Sequence, residues 1–129
     1  MKGFVLDAGA FIALERRSAF MLRLLRATQN GEAEVTIPRT VIAQVWRGGR
    51  QVNTARLLGA VRAKKGIVTI DELTARRAKQ IGLAIGRCSH TDIVDVHVAL
   101  AARERGHAVL TSDDGDIAKV DPRLPIVHI

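Results

Sequence analysis

Short apolar runs alternate along this chain with longer segments whose apolar residues recur at helical spacing. Residues 3–6 (GFVL), 34–37 (EVTI), 67–70 (IVTI), 108–111 (AVLT) and 126–128 have the length and β-branched content of short buried strands. Between them lie segments of helical pattern at 9–16, 18–29, 39–47, 52–64, 72–86, 92–105 and 114–119. In the second of these, Phe20, Met21, Leu24 and Leu25 form one face; in the fifth, Leu73, Ile81, Leu83 and Ile85 do. Pro38 stops the second strand, the Gly48–Gly49 pair interrupts the third and fourth helices, and Gly106 ends the sixth. Ser89 or Thr91 is the expected cap of helix 92–105. Five strands separated by helices predict an α/β fold with a central, mostly parallel five-stranded sheet, spanning residues 1–129 as one domain. In such sheets ligands bind outside the carboxyl ends of the strands, near the point where the strand order reverses.

Composition narrows the picture. With 47% hydrophobic and 26% charged residues among 129, the chain has the make-up of a folded soluble domain. A domain of this size buries roughly two-thirds of its unfolded surface and folds without staples. The one cysteine, Cys88, excludes an internal disulfide framework and fits a reducing cytosol. No apolar run approaches the ~20 residues that cross a bilayer, and the start of the chain, with Asp7 and no cleavage motif, does not read as a signal peptide. A cytoplasmic protein is expected. Four aromatics and no tyrosine are too few for a base-stacking platform.

The formal charge of +7 is unevenly spread. Residues 1–91 carry sixteen basic and six acidic side chains, and residues 92–129 carry four and seven. The basic part suggests a polyanion partner, most simply nucleic acid. The stretch 47–65 holds six Lys or Arg and no acid, and Arg47, Arg50 and Arg56 are candidate contacts to an RNA backbone. A solvated helix face is the competing reading of that stretch.

The acids fall where the sheet rule places a site. Asp7 follows the first strand, Asp113 follows the fourth, and Asp92 and Asp95 occupy the first turn of an otherwise apolar helix. Each has a structural explanation too. Asp92 suits a helix cap, Asp7 suits a cap of the helix that follows its strand, Asp113 and Asp116 suit capping or turn positions around Gly115, and for Asp114 that is the favoured reading. Together, carboxylates converging with no base between residues 92 and 102 would repel one another unless a divalent cation neutralises them. An oxygen-only donor set favours Mg²⁺ or Mn²⁺ over Zn²⁺. A hard cation in a basic protein points to phosphodiester hydrolysis by metal-activated water.

At these residues the sequence resembles the PIN-domain family, specifically the VapC toxins of bacterial toxin–antitoxin pairs. The resemblance rests on VLDAGAFIAL, IPRTVIAQVWRGG, TDIVDVHVALAARERG and VLTSDDGDI, in that order and spacing. It implies a three-layer α/β/α sandwich and a Mg²⁺- or Mn²⁺-dependent endoribonuclease that leaves a 5′-phosphate. It also implies a homodimer and a cognate antitoxin. The family's first acid maps onto Asp7 and later ones onto Asp95 and Asp113, the catalytic set. Asp116 matches a further acid of many members and Asp92 one of some, so the implied metal ligands are Asp7, Asp92, Asp95, Asp113 and Asp116. The family's Glu in a P..V.AEV context falls on Gln44, which brings no charge and no general base. Gln44, Thr111 and Ser112 are candidates for the pocket wall.

The remaining chemistry-bearing residues read as structural. His97 sits in the apolar helix as a packed core histidine, and no histidine pair has zinc-like spacing. His90 precedes Asp92 closely enough to approach the site, the less favoured of its two readings. Cys88 lacks the surroundings of a nucleophile. Two further function classes stay open: a PIN-like RNA- or protein-binding module whose site Gln44 has weakened, and a receiver- or phosphatase-like domain. Against the last, Asp7 has no second acid two residues on and no lysine follows a late strand.

Overall fold

A computed structural model of the chain describes residues 2–63 and 67–129, without the side chains of 62 and 63. The basic residues Arg62 (side chain), Lys64 and Lys65 of the 47–65 stretch therefore lie outside the described residues. The elements follow in the order β1 (Lys2–Leu6), α1 (Ala8–Glu15), α2 (Ala19–Gln29), β2 (Ala33–Pro38), α3 (Arg39–Val45), α4 (Val52–Ala63) and β3 (Val68–Asp71). They continue with α5 (Ala75–Cys88), α6 (Ile93–Arg105), β4 (Ala108–Thr111), α7 (Asp114–Val120) and β5 (Ile126–His128).

The sheet runs β3-β2-β1-β4-β5, and every pairing in it is parallel. Parallel neighbours need crossovers, which the helices supply, and right-handed crossovers put successive helices on a face fixed by the direction of travel. The chain steps from β1 outward to β3, then returns across the sheet to β4 and β5. Helices α5, α6 and α7 accordingly pack on one another in one layer, while α1 packs on α2, α3 and α4 in the other. The result is an α/β/α sandwich whose strand order reverses between β1 and β4.

The core explains the short strands. Val5 and Leu6 of β1 and Val109 and Leu110 of β4 are fully buried, so these two strands are apolar on both faces, while in β2 Val35 and Ile37 bury one face and Thr36 the other. Helix α6 crosses β1, β2 and β4 and buries Val96, His97, Val98, Ala99, Ala101 and Ala102. Small side chains there let the helix axis lie close to the sheet.

Three boundaries differ from expectation. Helix α5 starts at Ala75, not 72, because the Thr74 side chain accepts a hydrogen bond from the Arg77 N–H, leaving Asp71 to end β3. Neither Ser89 nor Thr91 caps α6. Ser89 instead closes α5 in a left-handed conformation (φ 61°), and Asp92 takes the cap. Helix α3 stops at Val45, since Trp46 is already extended.

Candidate functional site

The site begins where β1 ends. The Asp7 backbone N–H donates to the Leu110 carbonyl (3.0 Å), extending the β1–β4 ladder by one residue past Leu6. Its carboxylate then caps α1, with Oδ1 accepting from the Ala8 N–H at 2.7 Å. Oδ2 accepts from the Thr111 hydroxyl at 2.8 Å, and the Thr111 oxygen in turn accepts from the Asp113 N–H at 2.9 Å. Thr111 is buried and so ties the ends of β1 and β4 together. It fixes Asp7 in orientation while leaving each carboxylate oxygen a second lone pair.

Gly9 permits this approach. A Cβ there would lie 2.2 Å from the Ser112 hydroxyl and 3.0 Å from the Ser112 backbone nitrogen. Rotating the hydroxyl relieves the first contact but not the second. Gly9→Ala should therefore lower the unfolding free energy measured by urea titration by a net of about 1 kcal/mol, the strain exceeding alanine's ~1 kcal/mol helix advantage.

The amino end of α6 faces the same point. Asp92 caps the helix, its Oδ1 accepting from the N–H groups of Val94 (2.9 Å) and Asp95 (3.0 Å). Asp95, one turn in and about 15% exposed, lies 2.8 Å from Nε2 of His90. Burial pushes the Asp95 carboxyl above its usual range. The His90 contact opposes this, and the charges of Asp92, Asp7 and Asp116 add to it.

Asp113 and Asp116 complete the cluster. Asp113 precedes α7 with no side-chain capping bond, and its carboxyl interacts closely with that of Asp116. Such a pair behaves as one proton-binding unit. Their interaction pushes Asp113 up and Asp116 down, and the Lys119 ammonium 3.6 Å away and His90 help keep Asp116 charged. A ring nitrogen of His90, an oxygen of Asp95 and an oxygen of Asp116 all lie within 4.8 Å of one another. Five acids from three separate stretches of sequence thus influence one another electrostatically, and their oxygens are a donor set suited to a hard divalent cation.

The candidate wall residues lie differently. Ser112 packs on Gly9 at the rim. Gln44 is exposed and lines a neighbouring open groove of about 500 Å³ with Ala8, Phe11, Ile12, Val45 and Arg47. That groove adjoins the site at the start of α1. Arg47, Arg50 and Arg56 are all exposed, and Arg47 folds back to donate to the Trp46 carbonyl (2.8 Å). Cys88 is half-buried with its thiol directed at the His90 carbonyl (3.8 Å).

Two histidines depart from the reading the sequence favours. His90 stands in the acid cluster, the reading given less weight. His97 is not merely packed. Its neutral ring fits the geometry as an acceptor from the Thr40 hydroxyl at Nδ1 (2.8 Å) and a donor to Asp71 from Nε2 (2.7 Å). Burial pushes its pKa down, which agrees with the neutral form. Asp71 also accepts from Arg77 and Arg105, forming a buried ionic knot at the end of the edge strand β3.

The PIN domain family matches residues 4–122 of this sequence. The chain belongs to the PIN-domain family. Solved structures of similar fold agree. VapBC2 from Rickettsia felis, bound to a DNA fragment from their promoter, has a TM-score of 0.66 at 12% identity, with 98% of each chain covered. FitAB bound to IR36 DNA has a TM-score of 0.60 at 13% identity, covering 97% of this chain and 94% of that one. FitAcB from Neisseria gonorrhoeae has 0.51 at 16% identity, with 95% of each covered. No curated protein matches the sequence significantly. This PIN domain therefore shares a fold across nearly its whole length with chains that share few of its residues. No helix among the described residues is long and apolar enough to cross a membrane.

Proposed function

We propose that this protein is a metal-dependent endoribonuclease of the VapC type, acting as a toxin held in check by a cognate antitoxin. The observation that carries the reading is the convergence of Asp7, Asp95, Asp113 and Asp116 at the strand-order reversal, with three neighbouring carboxylates acting on Asp95. Asp7, Asp95 and Asp113 would hold a Mg²⁺ or Mn²⁺ ion, with Asp92 and Asp116 assisting. Bound there, the cation would supply charge neutralisation at a phosphate and a lowered pKa for water. Thr111 fixes the orientation in which Asp7 would hold the cation, and the Asp92 cap sets the first turn that carries Asp95. The exposed Arg47, Arg50 and Arg56 would track the RNA backbone beside the acids, in a cytoplasmic homodimer.

The test is RNA cleavage by the purified protein with Mg²⁺, with Mn²⁺ and with EDTA. Cleavage that survives chelation sinks the mechanism, and binding without cleavage under both metals favours a non-catalytic PIN module. That second reading draws on Gln44, an uncharged amide on the groove where the resembled family carries an acid. Gln44→Glu is expected to raise the cleavage rate several-fold, about tenfold for one added charge ~1.4 kcal/mol more favourable to the bound cation. An unchanged rate at subsaturating metal would show that position 44 does not limit the site.

A further inference from the structure

The resembled family's pocket is built from acids, yet here a nitrogen donor stands among them. His90 and Asp95 have side chains about 15% exposed, and His90 Nε2 lies 2.8 Å from Asp95 Oδ2. A His90 nitrogen and carboxylate oxygens of Asp95 and Asp116 fit within a 4.8 Å span, close enough for one ion to touch all three. The α5–α6 turn puts the ring there: α5 ends at Cys88, Ser89 reverses the backbone at φ 61°, and the next residue is His90. We propose that His90 is a direct cation ligand, making with Asp95 and Asp116 a mixed nitrogen–oxygen site that selects a first-row transition ion such as Mn²⁺ over Mg²⁺.

The chemistry favours this for two reasons. Imidazole nitrogen binds transition ions far better than Mg²⁺, which prefers oxygen and holds its water. The site also lacks a charge at Gln44, and a neutral imidazole adds bonding strength without adding repulsion to an acid group already crowded by Asp7 and Asp92. The inference deepens the cation site of the nuclease reading and rests on that site, not on RNA being the substrate.

Pulsed EPR of the full-length protein loaded with Mn²⁺ reads the bond directly. Nitrogen modulation from a coordinated imidazole is expected in the native protein and in His128→Asn, and is expected to vanish in His90→Asn. Calorimetric titration with each metal alone gives the selectivity. His90→Asn should weaken Mn²⁺ binding by about tenfold or more and Mg²⁺ binding by about twofold or less. Absence of nitrogen modulation in the native protein, or equal loss for both metals in a variant with unchanged circular dichroism, overturns the proposal. Nitrogen coupling in a protein that cuts no RNA would sink the nuclease reading and support this one. Metal-dependent cutting without nitrogen coupling would do the reverse.

Discussion

Asp95→Asn is expected to cut metal-dependent RNA cleavage by more than about a hundredfold, since losing even an outer-shell partner of a metal ligand costs 10–100-fold. The same change should make the metal-free protein more stable. Asp95 is pressed by burial and by the charges of Asp92, Asp7 and Asp116, so its ionised form is unfavourable in the folded chain. An isosteric amide removes that repulsion. Relief of roughly 1 kcal/mol corresponds to about 4 °C in Tm for a chain of this size. In the native protein Mg²⁺ or Mn²⁺ should raise Tm, because an ion that binds only the folded state stabilises it. In the variant this rise should largely disappear. Activity and metal-free stability thus move in opposite directions, which damage to the fold would not produce. A variant that loses both would show that Asp95 is structural, and one that keeps full activity would remove it from the site.

The acids that reach the site from strand ends were readable because the rule behind them is local. Asp7 and Asp113 each sit just past a short apolar run, and a parallel sheet brings such ends together. The fold class followed from the same alternation of strand and helix. The cap of α6 was harder, since Ser89, Thr91 and Asp92 are all good capping residues. What decides among them is how far α5 extends, and its amphipathic pattern gives no sharp end at Cys88. His90 depends on that same boundary. Only when Ser89 takes the left-handed turn does the ring swing toward Asp95, so its place was not visible from spacing. Asp71 was hidden for a different reason. It falls between the expected strand 67–70 and the expected helix 72–86, and its partners His97 and Arg105 lie 26 and 34 residues away. No local pattern announces a buried ion cluster whose members meet through the packing of α5 and α6 on the edge of the sheet.

That cluster sets the second large effect: Asp71→Asn should destabilise the protein by about 3–5 kcal/mol, measured by urea unfolding. Asp71 is only 4% exposed, and its two oxygens accept four hydrogen bonds. Oδ1 takes Arg77 Nε (3.0 Å) and His97 Nε2 (2.7 Å), and Oδ2 takes Arg77 Nη2 (2.8 Å) and Arg105 Nη1 (2.7 Å). Every acceptor site of the carboxylate is therefore used. An asparagine offers one oxygen and turns a donor toward other donors, so the 9%-exposed Arg77 loses one of its two bonds to residue 71 and leans on Gln80 and the exposed Glu104. Burial by itself would push the Asp71 carboxyl up, but the hydrogen bonds from Arg77, His97 and Arg105 and the Arg77 charge bring it down to about 2. A carboxyl whose folded pKa lies below its unfolded value stabilises above the unfolded value and stops doing so as pH falls through the folded one. The native protein should thus lose roughly 2 kcal/mol from this group between about pH 4 and pH 2. Asp71→Asn should flatten that part of the stability curve. Equal acid sensitivity in the two proteins would mean that the knot contributes packing alone.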